Sequence, residues 1–147
     1  LAEENVTVAV AESLTGGLVM ARIVAIDGAG DWFLGGVVAY DSEVKYELLG
    51  VDRGPVITEK AAIQMAAGVR RLLGADLGLS TTGVAGPDPE EGSAAGTVYV
   101  GVDRDGDNPL ALALHLDGSP DDVQESVVTQ VISILGEQIG MNLSDSA

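Results

Sequence analysis

Apolar positions fall into two rhythms along this chain, and each rhythm predicts its own kind of element. A short β-branched run over residues 7–10 reads as a buried strand, an apolar run over 35–40 as a second, and residues 77–82 as a third. Apolar residues three or four apart read as helices. Leu18, Val19, Ile23 and Ile26, with Arg22 among them, form one stripe that opens after Gly16-Gly17 and stops at residues 27–30. Ala62, Ile63, Ala66, Val69, Leu72 and Leu73 form a second stripe, capped by Thr58 and ended by Gly74. Between them, Asp41 and Ser42 offer N-caps for a short helix through Leu49, closed by Gly50.

The second half of the chain changes character. Residues 83–96 form a loop rich in Gly, Pro, Asp and Glu, and loops of this length are often functional. Runs 97–102 and 110–116, joined through residues 103–108, predict an antiparallel hairpin. Ser119, Pro120, Asp121 and Asp122 combine an N-cap, a first-turn proline and first-turn acids, so a last helix starts there and runs to about Ile139. The tail from Asn142 is expected to fray. Helices that alternate with strands, plus one hairpin, imply an α/β fold: a mixed sheet with helices on both faces. There is no internal repeat and no linker, so residues 1–147 read as one domain. The chain begins at Leu1, which predicts a trimmed native start and leaves a missing first helix or upstream domain open.

Composition narrows the function. Apolar residues make up 46% of the chain and aromatics only 3%, so the core is built from Ala, Val, Leu and Ile, with little surface for stacking bases. Acidic residues outnumber basic ones 23 to 7, for a net charge of −16. Such a chain repels phosphate backbones, so we expect no nucleic-acid partner, and we read most of the acidity as a solvated surface. The absence of cysteine excludes a disulfide scaffold, thiolate catalysis and cysteine-ligated zinc, and fits a cytoplasmic location. No apolar run approaches the roughly 18 residues of a membrane span, so no membrane association is expected.

The strand-to-helix junction Glu12-Ser13-Leu14-Thr15-Gly16-Gly17 holds the richest chemistry. A Ser-x-Thr-Gly-Gly turn can simply cap a helix; it can also gather N–H groups around an anion, or expose a serine nucleophile at the rim of a sheet. The Gly-x-Ser-x-Gly elbow is absent, and the only histidine, His115, sits inside a predicted strand, where a structural role is expected. A serine without histidine needs another base, and a lysine with a lowered pKa can serve. Only two lysines exist, and Lys60 lies in the first turn of a helix, which suits a surface residue. Lys45 follows Tyr40 at the mouth of the second strand; a solvated Lys45 and a packed Tyr40 are the plain alternatives. The run Thr81-Thr82-Gly83-Val84-Ala85-Gly86-Pro87 again breaks a strand into hydroxyls and glycines, either a turn or a second anion nest. Asp103, Asp105 and Asp107 alternate as in a calcium loop, but Asn108 and Leu114 stand where Gly and Glu are needed, so we predict a hairpin turn and no metal.

Together these segments resemble the CinA C-terminal domain family, which includes the nicotinamide-nucleotide amidohydrolases (nicotinamide mononucleotide deamidases). The resemblance rests on Ala11-Glu12-Ser13-x-Thr15-Gly16-Gly17, Phe33-Leu34-Gly35-Gly36-Val37-Val38-Ala39-Tyr40, Glu43-x-Lys45 and Leu48-Leu49-Gly50-Val51. It continues with Gly74-Ala75-Asp76, the Thr82-to-Pro87 run and Gly96-Thr97-Val98, and covers about residues 6–102. It implies a three-layer α/β/α domain in pyridine nucleotide salvage that hydrolyses the carboxamide of nicotinamide mononucleotide, with no cofactor and no metal. The family's serine, tyrosine and lysine fall on Ser13, Tyr40 and Lys45, as nucleophile, proton relay or oxyanion contact, and base. Substrate contacts are implied at Glu12, Thr15, Gly16, Gly17, Gly36, Thr82, Gly83 and Gly86. A homodimer is expected from the family and the small size.

The sequence departs from that pattern in three places. Leu14 replaces a common cysteine. Asp88, Glu90 and Glu91 stand where relatives often have glycines, and Gly118-Ser119-Pro120 with Gln124 stands where the family tends to have arginines. The alternative is therefore a nucleotide- or phosphate-binding domain without catalysis, or an interaction module related to the competence/damage-inducible protein CinA.

Overall fold

The computed structural model describes residues 6–143. Its centre is β1 (Val8–Glu12), in which every residue is buried. β1 pairs in parallel with β2 (Phe33–Val38) on one side and with β3 (Leu77–Gly83) on the other. β3 then pairs antiparallel with β4 (Thr97–Arg104), and β4 with β5 (Leu110–His115), giving the order β2-β1-β3-β4-β5. The mixed sheet and its hairpin are those expected.

Side chains alternate across the sheet and divide the core in two. Val8 and Val10 pack with Leu77, Leu79 and Val100 beneath α1 (Leu18–Val24) and α4 (Pro120–Ile139). Ala9 and Ala11 pack on the opposite face with α2 (Ser42–Leu49) and α3 (Glu59–Leu73). These are the three layers that the resemblance implies.

The second face is made of small residues. A Cβ at Gly78 would lie 2.0 Å from the Ala66 carbonyl oxygen, and one at Gly101 2.1 Å from that of Ala62. The backbone of α3 thus rests almost on the sheet, which only glycine permits. This approach turns the buried stripe toward Ala61, Ala62, Met65, Ala66, Gly68 and Val69. Leu72 and Leu73, expected in the stripe, are 47% and 37% exposed.

Several boundaries move for local reasons. β1 runs on to Glu12 because β2 continues beside it, pairing Val38 with Glu12. Thr7, expected in that strand, instead donates through its N–H and hydroxyl to Asp76 Oδ2, at 2.9 and 3.0 Å. β2 lies two residues earlier than the apolar run suggests: a register shift opposite Val8/Ala9 is absorbed where Gly35 takes φ +123°. β4 extends to Arg104, so Asp103 belongs to a strand, where its carboxylate accepts from Arg70 Nε at 2.9 Å. His115 ends β5 and is exposed. Leu143 is 1% exposed against the core, so the chain stays packed past Asn142; the expected fraying of residues 144–147 lies outside the described residues. Among the described residues, no helix is long and apolar enough to cross a membrane.

Candidate active site

The carboxyl ends of β1 and β3 set the site. β1 ends in Glu12, which is fully buried. Its carboxylate accepts from the N–H groups of Gly17 (3.2 Å), Val19 (3.0 Å) and Met20 (2.8 Å). These are the open donors at the start of α1, and no residue of that helix caps them. Glu12 therefore closes the turn into a ring and neutralises the positive end of α1. Expected to meet substrate, it is instead the helix's internal cap.

Within that ring, Ser13 is held by its backbone. Its N–H donates to the Thr81 carbonyl oxygen at 3.1 Å and to Thr81 Oγ1 at 3.2 Å. The hydroxyls of Thr81 and the buried Thr15 meet at 2.9 Å. Thr81 was absent from the expected site residues, although the hydroxyl run at the end of its strand was the signal for it. The Ser13 side chain has no protein partner among the described residues, although the residue is only 7% exposed. The N–H of Leu14, next along the chain, also takes no acceptor among them.

Ser13 opens into a cleft of about 490 Å³. Lys45, on α2, lines the same cleft and is 2% exposed. Its Nζ donates to the Tyr40 carbonyl oxygen at 3.1 Å. Burial pushes the Lys45 pKa below the ordinary lysine value, against the opposing pull of Asp41, Glu91 and Glu90. The Tyr40 side chain stands at the cleft, with the residue 74% exposed. It is thus the backbone of Tyr40, not its phenol, that holds the lysine.

The remaining walls come from the loop after β3 and the start of α4. Thr82, Gly83 and Gly86, the substrate contacts that the resemblance implies in this loop, line the cleft. The Thr82 hydroxyl is engaged, donating to the Val56 carbonyl oxygen at 2.7 Å. Gly83 has no room for a side chain, since a Cβ would lie 2.5 Å from the Thr97 carbonyl oxygen. Glu91 takes the left-handed conformation, φ +51°, and its carboxylate accepts from the N–H groups of Val56 (3.1 Å) and Ile57 (2.8 Å). Gln124 Nε2 donates to the Leu14 carbonyl oxygen at 2.8 Å, beside the serine.

Not every expected contact reaches the cleft. Thr15, Gly16 and Gly17 shape the turn behind Ser13, the two glycines with φ of +56° and +107°. Gly36 lies in β2, where a Cβ would fall 1.9 Å from the Val10 carbonyl oxygen and 2.8 Å from Met20 Sδ. Its glycine is required by packing. The site is thus a serine and a buried lysine in one cleft, with an unengaged N–H next to the serine. That set suits acyl transfer.

The CinA C-terminal domain model matches residues 1–139. The chain belongs to the CinA C-terminal domain family. A CinA-like protein from Frankia casuarinae is 41% identical over 140 residues, which are 92% of this chain and 32% of that protein. A competence-damage inducible protein from Geobacillus kaustophilus is 42% identical over 130 residues, 84% of this chain and 31% of its own. The chain thus spans about a third of the length of these CinA relatives. Among solved structures, a competence damage-inducible protein A from Klebsiella pneumoniae superposes with a TM-score of 0.86 at 27% identity, covering 91% of this chain and 86% of that one. A CinA superfamily protein from Enterobacter cloacae gives 0.86 at 28% identity, with 91% and 82% covered.

Proposed function

We propose that this CinA C-terminal domain is a serine–lysine amidohydrolase, and that it releases ammonia from the carboxamide of nicotinamide mononucleotide. The observation that carries the reading is the Ser13 hydroxyl, unpartnered by protein among the described residues and open to the cleft that Lys45 also lines. In the first half-reaction, Ser13 Oγ bonds to the amide carbon while its proton passes to neutral Lys45 Nζ. The N–H of Leu14 stabilises the oxyanion. The C–N bond then breaks, and Lys45 returns the proton to the departing nitrogen, giving ammonia and a seryl ester. In the second half-reaction, water attacks the ester carbon and gives its proton to Lys45, which passes it back to Ser13. The product is nicotinic acid mononucleotide. Tyr40 contributes its carbonyl to Lys45, which keeps Nζ in place.

The test is ammonia release from nicotinamide mononucleotide by the purified domain, with Ser13→Ala as control. We expect Ser13→Ala and Lys45→Ala to lower turnover by about 10³-fold or more, with unchanged folding by circular dichroism. Equal rates in the wild type and Ser13→Ala would overturn the nucleophile assignment. The carboxylates around Lys45, which favour its charged form, support a second reading, a binding domain without turnover. A ligand-induced rise in Tm with no ammonia would select it.

A further inference from the structure

Ser13 and Lys45 line one cleft, but no hydrogen bond joins them among the described residues. The Lys45 amine donates to the Tyr40 carbonyl oxygen instead, at 3.1 Å. A proton exchanged between serine and lysine in this arrangement needs a carrier that both accepts and donates. Besides Ser13, the hydroxyl residues lining the cleft are Tyr40, Ser42 and Thr82. Thr82 is committed, since its hydroxyl donates to the Val56 carbonyl oxygen at 2.7 Å. Tyr40 is 74% exposed. Ser42 is half-buried, and its hydroxyl has no protein partner among the described residues.

The helix keeps Ser42 beside the amine. Ser42 is the first residue of α2 and Lys45 lies three further on, so they share a face, with Cβ atoms about 5–6 Å apart. Helical side chains lean toward the N-terminus, and Lys45 leans far enough to reach Tyr40, two residues ahead of Ser42. The Ser42 hydroxyl is also not needed to hold the helix start. Asp41 is the cap, and its Oδ1 accepts from Glu43 N–H at 2.8 Å. We propose that Ser42 carries the proton between Ser13 and Lys45. This inference rests on the serine–lysine amidase reading and names the path of its proton. As Ser13 Oγ bonds to the amide carbon, its proton moves to Ser42 Oγ, and the Ser42 proton moves to neutral Lys45 Nζ. As the C–N bond breaks, Lys45 gives a proton to Ser42 Oγ, and Ser42 gives its own to the departing nitrogen. Hydrolysis of the seryl ester uses the same path, with water as the proton source and Ser13 as the final acceptor. Ser42 leaves each half-reaction unchanged.

The experiment measures ammonia release from nicotinamide mononucleotide by the wild type, Ser42→Ala and Ser42→Thr, with Tm followed in parallel. We expect Ser42→Ala to lower kcat by about 10²-fold while KM changes by less than about threefold. Its Tm should stay within about 2 °C of the wild type, because Asp41 still caps α2. Ser42→Thr keeps a hydroxyl and should recover about a tenth of the wild-type kcat or more. Wild-type kcat in Ser42→Ala overturns the proposal and gives the transfer to the Tyr40 phenol or to water. A loss that Ser42→Thr does not restore, or one that comes with a matching fall in Tm, overturns it too and makes Ser42 a structural residue of α2. Should the wild type release no ammonia, the amidase reading fails on its own, and labelling of Ser13 by a fluorophosphonate still decides the relay. Labelling about 10²-fold slower in Ser42→Ala than in the wild type supports it; equal rates, or no labelling of either protein, sink it.

Discussion

Two walls of the cleft are built on the same device and behave as opposites. On the serine wall, Glu12 takes N–H groups from residues of α1. On the loop wall, Glu91 takes N–H groups from Val56 and Ile57. Glu12 is wholly buried in a strand paired on both sides, whereas Glu91 is an exposed loop residue with a left-handed backbone. The first carboxylate has no water to replace its partners, so its ring is obligatory. The second can exchange its N–H bonds for solvent. The contrast teaches where this domain can change. The wall that carries Ser13 is locked into the core, and the wall that carries Asp88, Glu90 and Glu91 is tied on from outside.

The sharpest way to break this contrast is to make the same change on both sides. Glu12→Gln keeps the shape but replaces one acceptor oxygen with an NH2 that faces an N–H donor. We expect a loss of about 2–3 kcal/mol, a fall in Tm of about 6–10 °C, and reduced turnover as the Ser13 turn loosens. Glu91→Gln should cost about 0.5–1 kcal/mol and about 2–4 °C. Thermal denaturation of the two variants side by side checks this. Equal losses would mean that the loop is as firmly held as the core.

That asymmetry also explains what could be read from the sequence. The strands and the helix caps were legible because they rest on local rules and contiguous motifs, and motifs of the same kind picked out Ser13, Tyr40 and Lys45, which line one cleft. Thr58, Asp41 and the Ser119/Asp122 pair cap the helices where the sequence suggested. Glu12 was misread because its partners lie five to eight residues away across a turn of unknown shape. A buried carboxylate and a substrate contact look alike in a motif. The α3 stripe was misread for another reason: large apolar residues draw attention, while Gly78 and Gly101, far along the chain, let the small side face the sheet. The engagement of Gln124 with Leu14 spans 110 positions, and no local pattern encodes it.

Lys45 stands between the two walls and ties stability to pH. Its folded pKa is lowered from 10.5, chiefly by burial. Between that lowered value and 10.5 the unfolded chain binds more protons than the folded one, so stability rises with pH across the window. Below the lowered value, the cost of the buried charge is present in full. Lys45→Met removes that cost, and the exposed Asp41, Glu90 and Glu91 stay solvated without the cation. We expect this variant to be more stable at neutral pH by about 1 kcal/mol, or about 2–4 °C in Tm. The gap should close as the pH approaches 10.5. A variant less stable at every pH would mean that Lys45 binds its carboxylate neighbours strongly enough to offset its burial.

The smallest effect tests the loop wall as an electrostatic partner rather than a tether. Glu91 and Glu90 both raise the Lys45 pKa, and the proposed mechanism needs the neutral amine. Removing either charge lowers that pKa, so the acid limb of the kcat/KM profile should move to lower pH by a fraction of a unit. Glu90→Gln is the cleaner probe, since Glu91 also holds Val56 and Ile57. The displacement should shrink with added salt, because both carboxylates are solvent-exposed. A shift in Glu91→Gln that persists in high salt would instead mark loosening of the Val56–Ile57 segment, and would make that loop a mechanical part of the lysine's setting.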